Sequence, residues 1–312
     1  MPIILAVENL KKIYNETMPV VAVNEISFHL NVGEILGLLG PNGSGKTTTI
    51  QMLLGTLLST SGSIHYFNKD FSIFRNEILQ NVSFASTYTS LPWILTVKEN
   101  LEVFGYLYGY TRNESAKLFD PLLERFGILN KRNHRVSSLS AGQVTRLMLV
   151  KAFFIQPKVV LLDEPTASLD PDIANDICSF LLEERDKQGI SMLFTSHKME
   201  EVMKTCDRVI FLENGHIIAD DTPSKLAKSV SNFRIKLLII EGLETAKQIA
   251  RNSSLEYDIH HHLIEVKINE ENIPIFLDAL SKAFVRYANI KIEEPSLEDF
   301  FIQTTKRTRL NL

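Results

Sequence analysis

Two cysteines, Cys178 and Cys206, and a single tryptophan are all that this 312-residue chain holds of those residue types. Both cysteines fall in segments that read as helices, and neither has a metal-site spacing. A disulfide framework and a zinc site are therefore not expected, and the chain suits a reducing compartment. Long apolar runs are also missing. Even Leu147 to Leu162 is interrupted by Lys151, Pro157 and Lys158, which argues against a membrane-spanning helix. There is no excess of basic charge: Lys and Arg number 33 against 37 Asp and Glu, for a net charge of -4. Scattered in this way, they lack the concentrated positive footprint of a nucleic-acid binder. The opening MPIILAVENL has no basic n-region and reads as a strand rather than a signal peptide. No sustained heptad pattern supports a coiled-coil insertion.

What the chain does have is concentrated first at GPNGSGKTT: Gly40, Pro41, Asn42, Gly43, Ser44, Gly45, Lys46, Thr47 and Thr48. An apolar run, Ile35 to Leu39, precedes it and Ile50 to Leu53 follow, so it reads as strand, glycine loop, helix. The glycines permit backbone conformations that a Cβ blocks, which lets amide N–H groups converge on phosphate oxygens at a helix N-terminus. Lys46 adds a point charge for the β- and γ-phosphates, and the Thr47 hydroxyl is a suitable ligand for Mg²⁺. A chance match to this pattern in a chain of average glycine content arises about one time in a hundred. Further on, the apolar run Val159 to Leu162 ends in Asp163 and Glu164, a buried strand delivering carboxylates to its C-terminal edge. Asp163 is expected to hold Mg²⁺ through water. Glu164 is expected to polarise the water that attacks the γ-phosphorus.

Between these two features lies LSAGQ, residues 139 to 143, and after them come Ser168-Leu169-Asp170 and His197. In this order the set resembles the ATP-binding cassette ATPases over residues 1 to about 228. The resemblance implies an α/β, P-loop nucleotide-binding domain of that type with a helical subdomain at about 96–158. It implies binding of ATP and Mg²⁺, ATP hydrolysis, and a head-to-tail dimer with a second ATPase subunit. Ser140 and Gly142 would then reach the partner's γ-phosphate, with Gln143 beside them and Asp170 facing the partner. His197 would contact the γ-phosphate of its own nucleotide, and Tyr14 would stack on adenine. Ala141 stands where the family usually has a second glycine, which is tolerable unless the position needs positive φ. The family's glutamine after the strand Asn81 to Ala85 is absent; depending on the alignment, Ser86 or Thr87 takes its place. Trp93, Ile94, Tyr106 and Tyr108 are the candidate contacts on the side where the family's helical subdomain meets a membrane-spanning permease.

Through residue 228 the strand segments Ile3–Val7, Ile26–Leu30, Ile35–Leu39, Ser63–Phe67, Val82–Ala85, Val159–Asp163 and Met192–Thr195 are expected to form one mixed sheet. After residue 228 the pattern changes to strand, helix, one or two strands, helix, strand, predicting a small α/β accessory domain over 229–312. Its ending, Pro295 to Phe301, resembles exporter-type cassette proteins of drug, antibiotic or polysaccharide efflux. His260, His261 and His262 sit in an expected strand, where alternate residues face opposite ways, so they do not converge on one ion. The leading expectation is the ATPase subunit of an exporter at the cytoplasmic face of the plasma membrane, peripheral to a separately encoded permease. Two rivals stand beside it: a soluble cassette ATPase acting on a non-transport partner, and a low-turnover ATP-sensing module.

Overall fold

Three sheets organise the chain, whose structure is a computed structural model describing residues 2–15, 19–86, 91–230 and 232–310. Contacts divide it into two units, Met1–Pro223 and Ser224–Leu312. The first contains β1 (Ile3–Asn15), β2 (Pro19–Asn31), β3 (Ile35–Leu39), α1 (Lys46–Leu53), β4 (Ser61–Tyr66), β5 (Lys69–Asp70), α2 (Phe71–Leu79), β6 (Val82–Ser86), α3 (Val97–Leu107), α4 (Arg112–Arg125), α5 (Ala141–Phe153), β7 (Val159–Asp163), α6 (Pro171–Gln188), β8 (Ser191–Thr195), α7 (Met199–Thr205), β9 (Arg208–Glu213) and β10 (His216–Asp221). The helix α8 (Pro223–Lys228) starts at the break, followed by β11 (Asn232–Glu241), α9 (Leu243–Asn252), β12 (Glu256–His260), β13 (Leu263–Asn269), α10 (Ile273–Lys282), β14 (Arg286–Glu293) and α11 (Leu297–Leu310). The division thus falls ahead of α8, where the sequence pattern sets it after residue 228.

The single mixed sheet expected for the first unit is instead two. One is antiparallel, in the order β2-β1-β4-β5; the other has six strands in the order β10-β9-β3-β8-β7-β6. The reason lies in β1: it pairs with β2 along one edge and β4 along the other, both antiparallel, so it has no edge left to join β3. Strands β3, β7 and β8 are buried at every position, the near-continuous apolar composition of parallel strands covered on both faces. Edge strand β10 alternates between exposed and half-buried positions, and neither it nor β9 was expected from sequence. Residues of both sheets, among them Leu5, Val7, Phe28, Leu36, Leu161 and Ile210, share one apolar core with Ile50 and Leu53 of α1.

Helices α3, α4 and α5 each begin with a reciprocal capping box: Thr96 with Glu99, Thr111 with Glu114, and Ser140 with Gln143. Each box satisfies two otherwise orphaned N–H groups and defines where the helix starts. Gly105 lets α3 approach α4 closely, since a Cβ there would lie 2.0 Å from Ser115 Oγ.

In the second unit the order of elements β11-α9-β12-β13-α10-β14 and the antiparallel strand order β12-β13-β11-β14 make a ferredoxin-like βαββαβ fold. Ile235, Leu237, Ile264 and Val266 of the sheet pack with Ala246, Ala250, Phe276 and Leu280 of the helices. The three histidines are not in mid-strand: β12 ends at His260, and His261 turns the hairpin with φ +58.

Candidate functional site

Strands β3, β6, β7 and β8 run parallel, so their C-terminal ends meet along one edge of the sheet. Four separate segments of sequence are delivered there. The glycine loop follows β3, Ser86 ends β6, Asp163 ends β7 with Glu164 after it, and Thr195 ends β8 with Ser196 and His197 after it. In the ladder Ser86 sits beside Asp163, and Asp163 beside Thr195. Thr87 lies outside the described residues. This edge of an open α/β sheet is the usual place for a ligand.

Three glycines shape the loop. Gly45, at φ +106, has no room for a Cβ, which would lie 2.5 Å from the Ala22 carbonyl oxygen. Gly43, at φ +81, has nothing within 4 Å of its Cβ position, leaving open space beside that part of the backbone. Lys46 Nζ donates to the carbonyl oxygens of Gly40 at 2.8 Å and Pro41 at 3.0 Å. Burial lowers the pKa of Lys46, and the nearby Glu164 and Asp163 oppose that shift. Ser44 Oγ is buried without a hydrogen-bond partner among the described residues. Together these features suit an anionic group.

The acidic edge is held by one threonine. Thr195 Oγ1 donates to Asp163 Oδ1 at 2.9 Å and accepts the Glu164 N–H at 2.9 Å. Glu164 takes φ +51, in the left-handed region that non-glycine residues rarely adopt. Its carboxylate Oε1 lies 2.6 Å from His197 Nε2. Burial raises the pKa of Asp163, with the Thr195 hydrogen bond opposing it. Asp163 and the exposed Thr47 offer hard oxygen donors of the kind Mg²⁺ takes. Among the described residues no group of three His, Cys, Asp or Glu could hold a metal unaided. A cation bound here would therefore share its ligands with phosphate oxygens, as Mg²⁺ usually does.

A cleft of about 550 Å³ joins Tyr14, Asn42, Gly43, Gly45, Lys46, Thr47, Thr48, Glu164 and His197. Lys12 Nζ sits 5.3 Å from the centre of the Tyr14 ring. Ser140, Gly142, Gln143 and Asp170 do not line this cleft. Ser140 caps α5: its Oγ accepts the Gln143 N–H at 3.3 Å, and Gln143 Oε1 accepts the Ser140 N–H at 3.0 Å. The Ser140 O–H proton is left to donate elsewhere. Ala141 is the first residue of the helix and is not among the positive-φ residues, so the methyl group in place of a glycine hydrogen brings no backbone strain. Gly142 packs closely: a Cβ there would lie 3.3 Å from Leu169 Cδ2. Asp170 stands at the N-cap of α6 with its side chain making no cap hydrogen bond.

Sequence reasoning missed Glu201. Buried on α7, it accepts hydrogen bonds from Thr166 Oγ1 at 2.5 Å and Ser196 Oγ at 3.0 Å on one oxygen. Its other oxygen lies 3.0 Å from Lys198 Nζ. One carboxylate thus ties the loop after Glu164 to the residue before His197. No local pattern marks it, because Thr166 is 35 positions away.

The ABC transporter family model matches residues 23–167. The linearmycin resistance ATP-binding protein LnrL of Bacillus subtilis is 31% identical over 311 residues, covering 97% of this chain and 99% of that protein. The chain belongs to the ABC transporter ATP-binding proteins. A Nod factor export ATP-binding protein I from Burkholderia orbicola is 38% identical over 71% of each ABC chain. A solved ATP-binding subunit of an ABC transporter superposes with a TM-score of 0.67 at 25% identity, covering 72% of this chain and 92% of that one. As an ABC cassette the chain is an ATP-binding ATPase. No helix among its described residues is long and apolar enough to cross a membrane.

Proposed function

We propose that this cassette is the ATP-hydrolysing subunit of an exporter, working from the cytoplasmic face of the membrane on a separately encoded permease. The observation that carries the reading is the Glu164–His197 pair, 2.6 Å apart, on the same cleft as Lys46 and Thr47. Water attacks the γ-phosphorus, the bond to the β–γ bridging oxygen breaks, and ADP and phosphate leave. Glu164 takes the proton of the attacking water, and His197 orients that carboxylate and meets the γ-phosphate. Lys46 and the N–H groups of residues 40–48 hold the β- and γ-phosphates, and Tyr14 stacks on the base. Thr47 directly and Asp163 through water would hold Mg²⁺, which would offset phosphate charge.

Catalysis requires a second ATPase subunit arranged head to tail. Ser140 and Gly142 lie outside their own chain's cleft, on a helix start that leaves a hydroxyl donor, and they complete the partner's site. Gln143 braces that donor through the capping box, and Asp170 faces the partner. Nucleic acid is not a partner. Export as the direction of transport rests on the relatives, whose names speak of linearmycin resistance and Nod factor export. We assign residues 1–228 to the ATPase domain and 229–312 to an accessory domain.

The test is Glu164→Gln. This variant should bind ATP and accumulate as a closed dimer in complex with the permease in detergent, while turnover collapses. A variant that stays monomeric at saturating ATP with the permease present breaks the dimer mechanism. A parent protein without ATPase activity under the same conditions points to the sensing module instead.

A further inference from the structure

Tyr14, assigned above to the base, lies near the end of β1 and pairs across the ladder with Val20. Both residues line the ATP cleft, as does Ala22. Lys12 pairs with Val23 and Ile13 with Val21, so β2 carries one extra residue there, and Ala22 is the bulged position. Its carbonyl oxygen is the one that leaves Gly45 no room for a Cβ. The bulge thus brings the β1–β2 ribbon against the glycine loop, and the strand end beyond it carries Tyr14.

Lys12 stands two residues before Tyr14, on the same face of β1. Its Nζ lies over the Tyr14 ring, 5.3 Å from the centre, whereas Lys12 itself does not line the cleft. With the ammonium over one face of the ring, one face is left for a base. The same ammonium donates to the Leu58 carbonyl oxygen at 2.7 Å. Two more bonds tie this stretch of β1 to the same loop: the Ile13 N–H donates to Thr60 Oγ1 at 2.9 Å, and the Thr60 N–H to the Lys11 carbonyl oxygen at 2.8 Å. That loop follows α1, whose first residue is Lys46. The ring and the phosphate-binding helix are therefore joined by contacts outside the cleft. Lys12 is half-buried, and a cation over a tyrosine ring is held more strongly as water is removed. Polarised toward the ammonium, the ring offers an electron-poorer opposite face, which suits an electron-rich purine.

We propose that Lys12 is a positioning residue for the nucleotide: it covers one face of Tyr14, ties the ring to the loop after α1, and so presents the other face to the base in register with the phosphate loop. The inference rests on the reading of Tyr14 as the base-stacking residue and adds to it the group that holds the ring.

The experiment is calorimetric titration of the full chain with MgADP, which binds without turnover. Tyr14→Ala should weaken binding about tenfold, within the range for loss of base stacking. Lys12→Met should weaken it about fivefold. Lys12→Arg should stay within about twofold of the parent, because a guanidinium both stacks on the ring and donates. Lys12→Gln keeps a donor for the Leu58 carbonyl without the charge and should weaken binding as Lys12→Met does. In the Tyr14→Ala background, Lys12→Met should cost less than about twofold, since the ammonium acts through the ring. Melting temperatures within about 3 °C of the parent separate loss of ring support from loss of fold; if Lys12→Met melts lower, Lys12→Gln carries the test. Parent-level binding by Lys12→Met or Lys12→Gln, while Tyr14→Ala binds weakly, overturns the inference. So does an equal loss in both backgrounds, which makes Lys12 a general attraction for phosphate charge, and so does a loss with Lys12→Arg as large as with Lys12→Met. Parent-level binding by Tyr14→Ala defeats the base-stacking reading itself, a result distinct from the others.

Discussion

The six-stranded sheet of the first unit and the four-stranded sheet of the second are both covered by helices, yet they use their polar groups differently. In the first, neighbouring parallel strands end together, and residues far apart in sequence converge at one edge: Lys46, Ser86, Asp163, Glu164, Thr195 and His197. In the second, antiparallel strands send successive ends in opposite directions, and charged side chains pair with one another along the sheet. Lys236 lies 2.9 Å from Glu293 and 3.6 Å from Glu265, and Arg234 pairs with Asp299 of α11. Parallel connectivity gathers groups from distant segments at one edge, whereas the antiparallel arrangement pairs charges of neighbouring strands with one another. The βαββαβ unit therefore reads as a scaffold and the parallel edge as a reaction site.

Mutations can break that contrast. The largest expected effect is at the parallel edge: Glu164→Gln should lower kcat by about a thousandfold while ATP still binds, since a positioned proton acceptor contributes about 10²–10⁴-fold. Single-turnover hydrolysis of bound ATP measures it, and a drop below about tenfold removes Glu164 from the role of base. Next comes Glu201→Gln, which keeps the shape but offers Lys198 no charge and presents N–H donors where oxygens accepted. A kcat about tenfold lower with KM for ATP unchanged is expected, the pattern of lost alignment rather than lost binding. If KM rises while kcat holds, Glu201 serves ATP binding instead.

A smaller effect tests Lys151, which sits in the last turn of α5 against the Phe104 ring with no carboxylate paired to it among the described residues. Its folded pKa of about 8 lies below the ordinary 10.5, so between those values the unfolded chain binds more protons. The stability of the isolated cassette should rise with pH through that window, and the contribution of Lys151 is unfavourable below it. Lys151→Met should therefore stabilise the isolated chain at pH 7 by on the order of 1 kcal/mol, with the gain fading as pH approaches 10. Thermal unfolding at several pH values checks this; a loss of stability at pH 7 means that the ammonium has a structural role. The smallest effect belongs to the second sheet. Lys236→Ala should leave ATP hydrolysis unchanged and shift the melting temperature by less than about 3 °C, because such half-exposed pairs contribute little. A substantial fall in hydrolysis would mean that this scaffold controls the reaction site.

How much was legible in the sequence varied with the distance over which each feature is specified. The glycine loop and the acidic strand end are contiguous, and each appears in the structure as a loop and a strand end at the expected residues. The start of α5 at Ser140 was equally readable, since a capping box spans four residues. The single mixed sheet failed because strand patterns say where strands are, not which edges pair, and β1 uses both of its own. Tyr108 is half-buried rather than exposed for a similar reason: helical spacing does not tell a side chain which neighbour will accept its hydroxyl.

By itself the sequence determined the parts: a loop whose glycines permit its backbone, a strand that ends in two acids, a serine that caps a helix, and a family membership. Those are set by φ preferences, by side chains within a turn of one another, and by the order of short patterns. Only the tertiary structure decided that Glu164 meets His197, that Glu201 ties their two loops together, and that Lys151 sits against the Phe104 ring with no carboxylate paired to it among the described residues. Each of these depends on which strands lie side by side and which helix covers them, and no stretch of a few residues carries that.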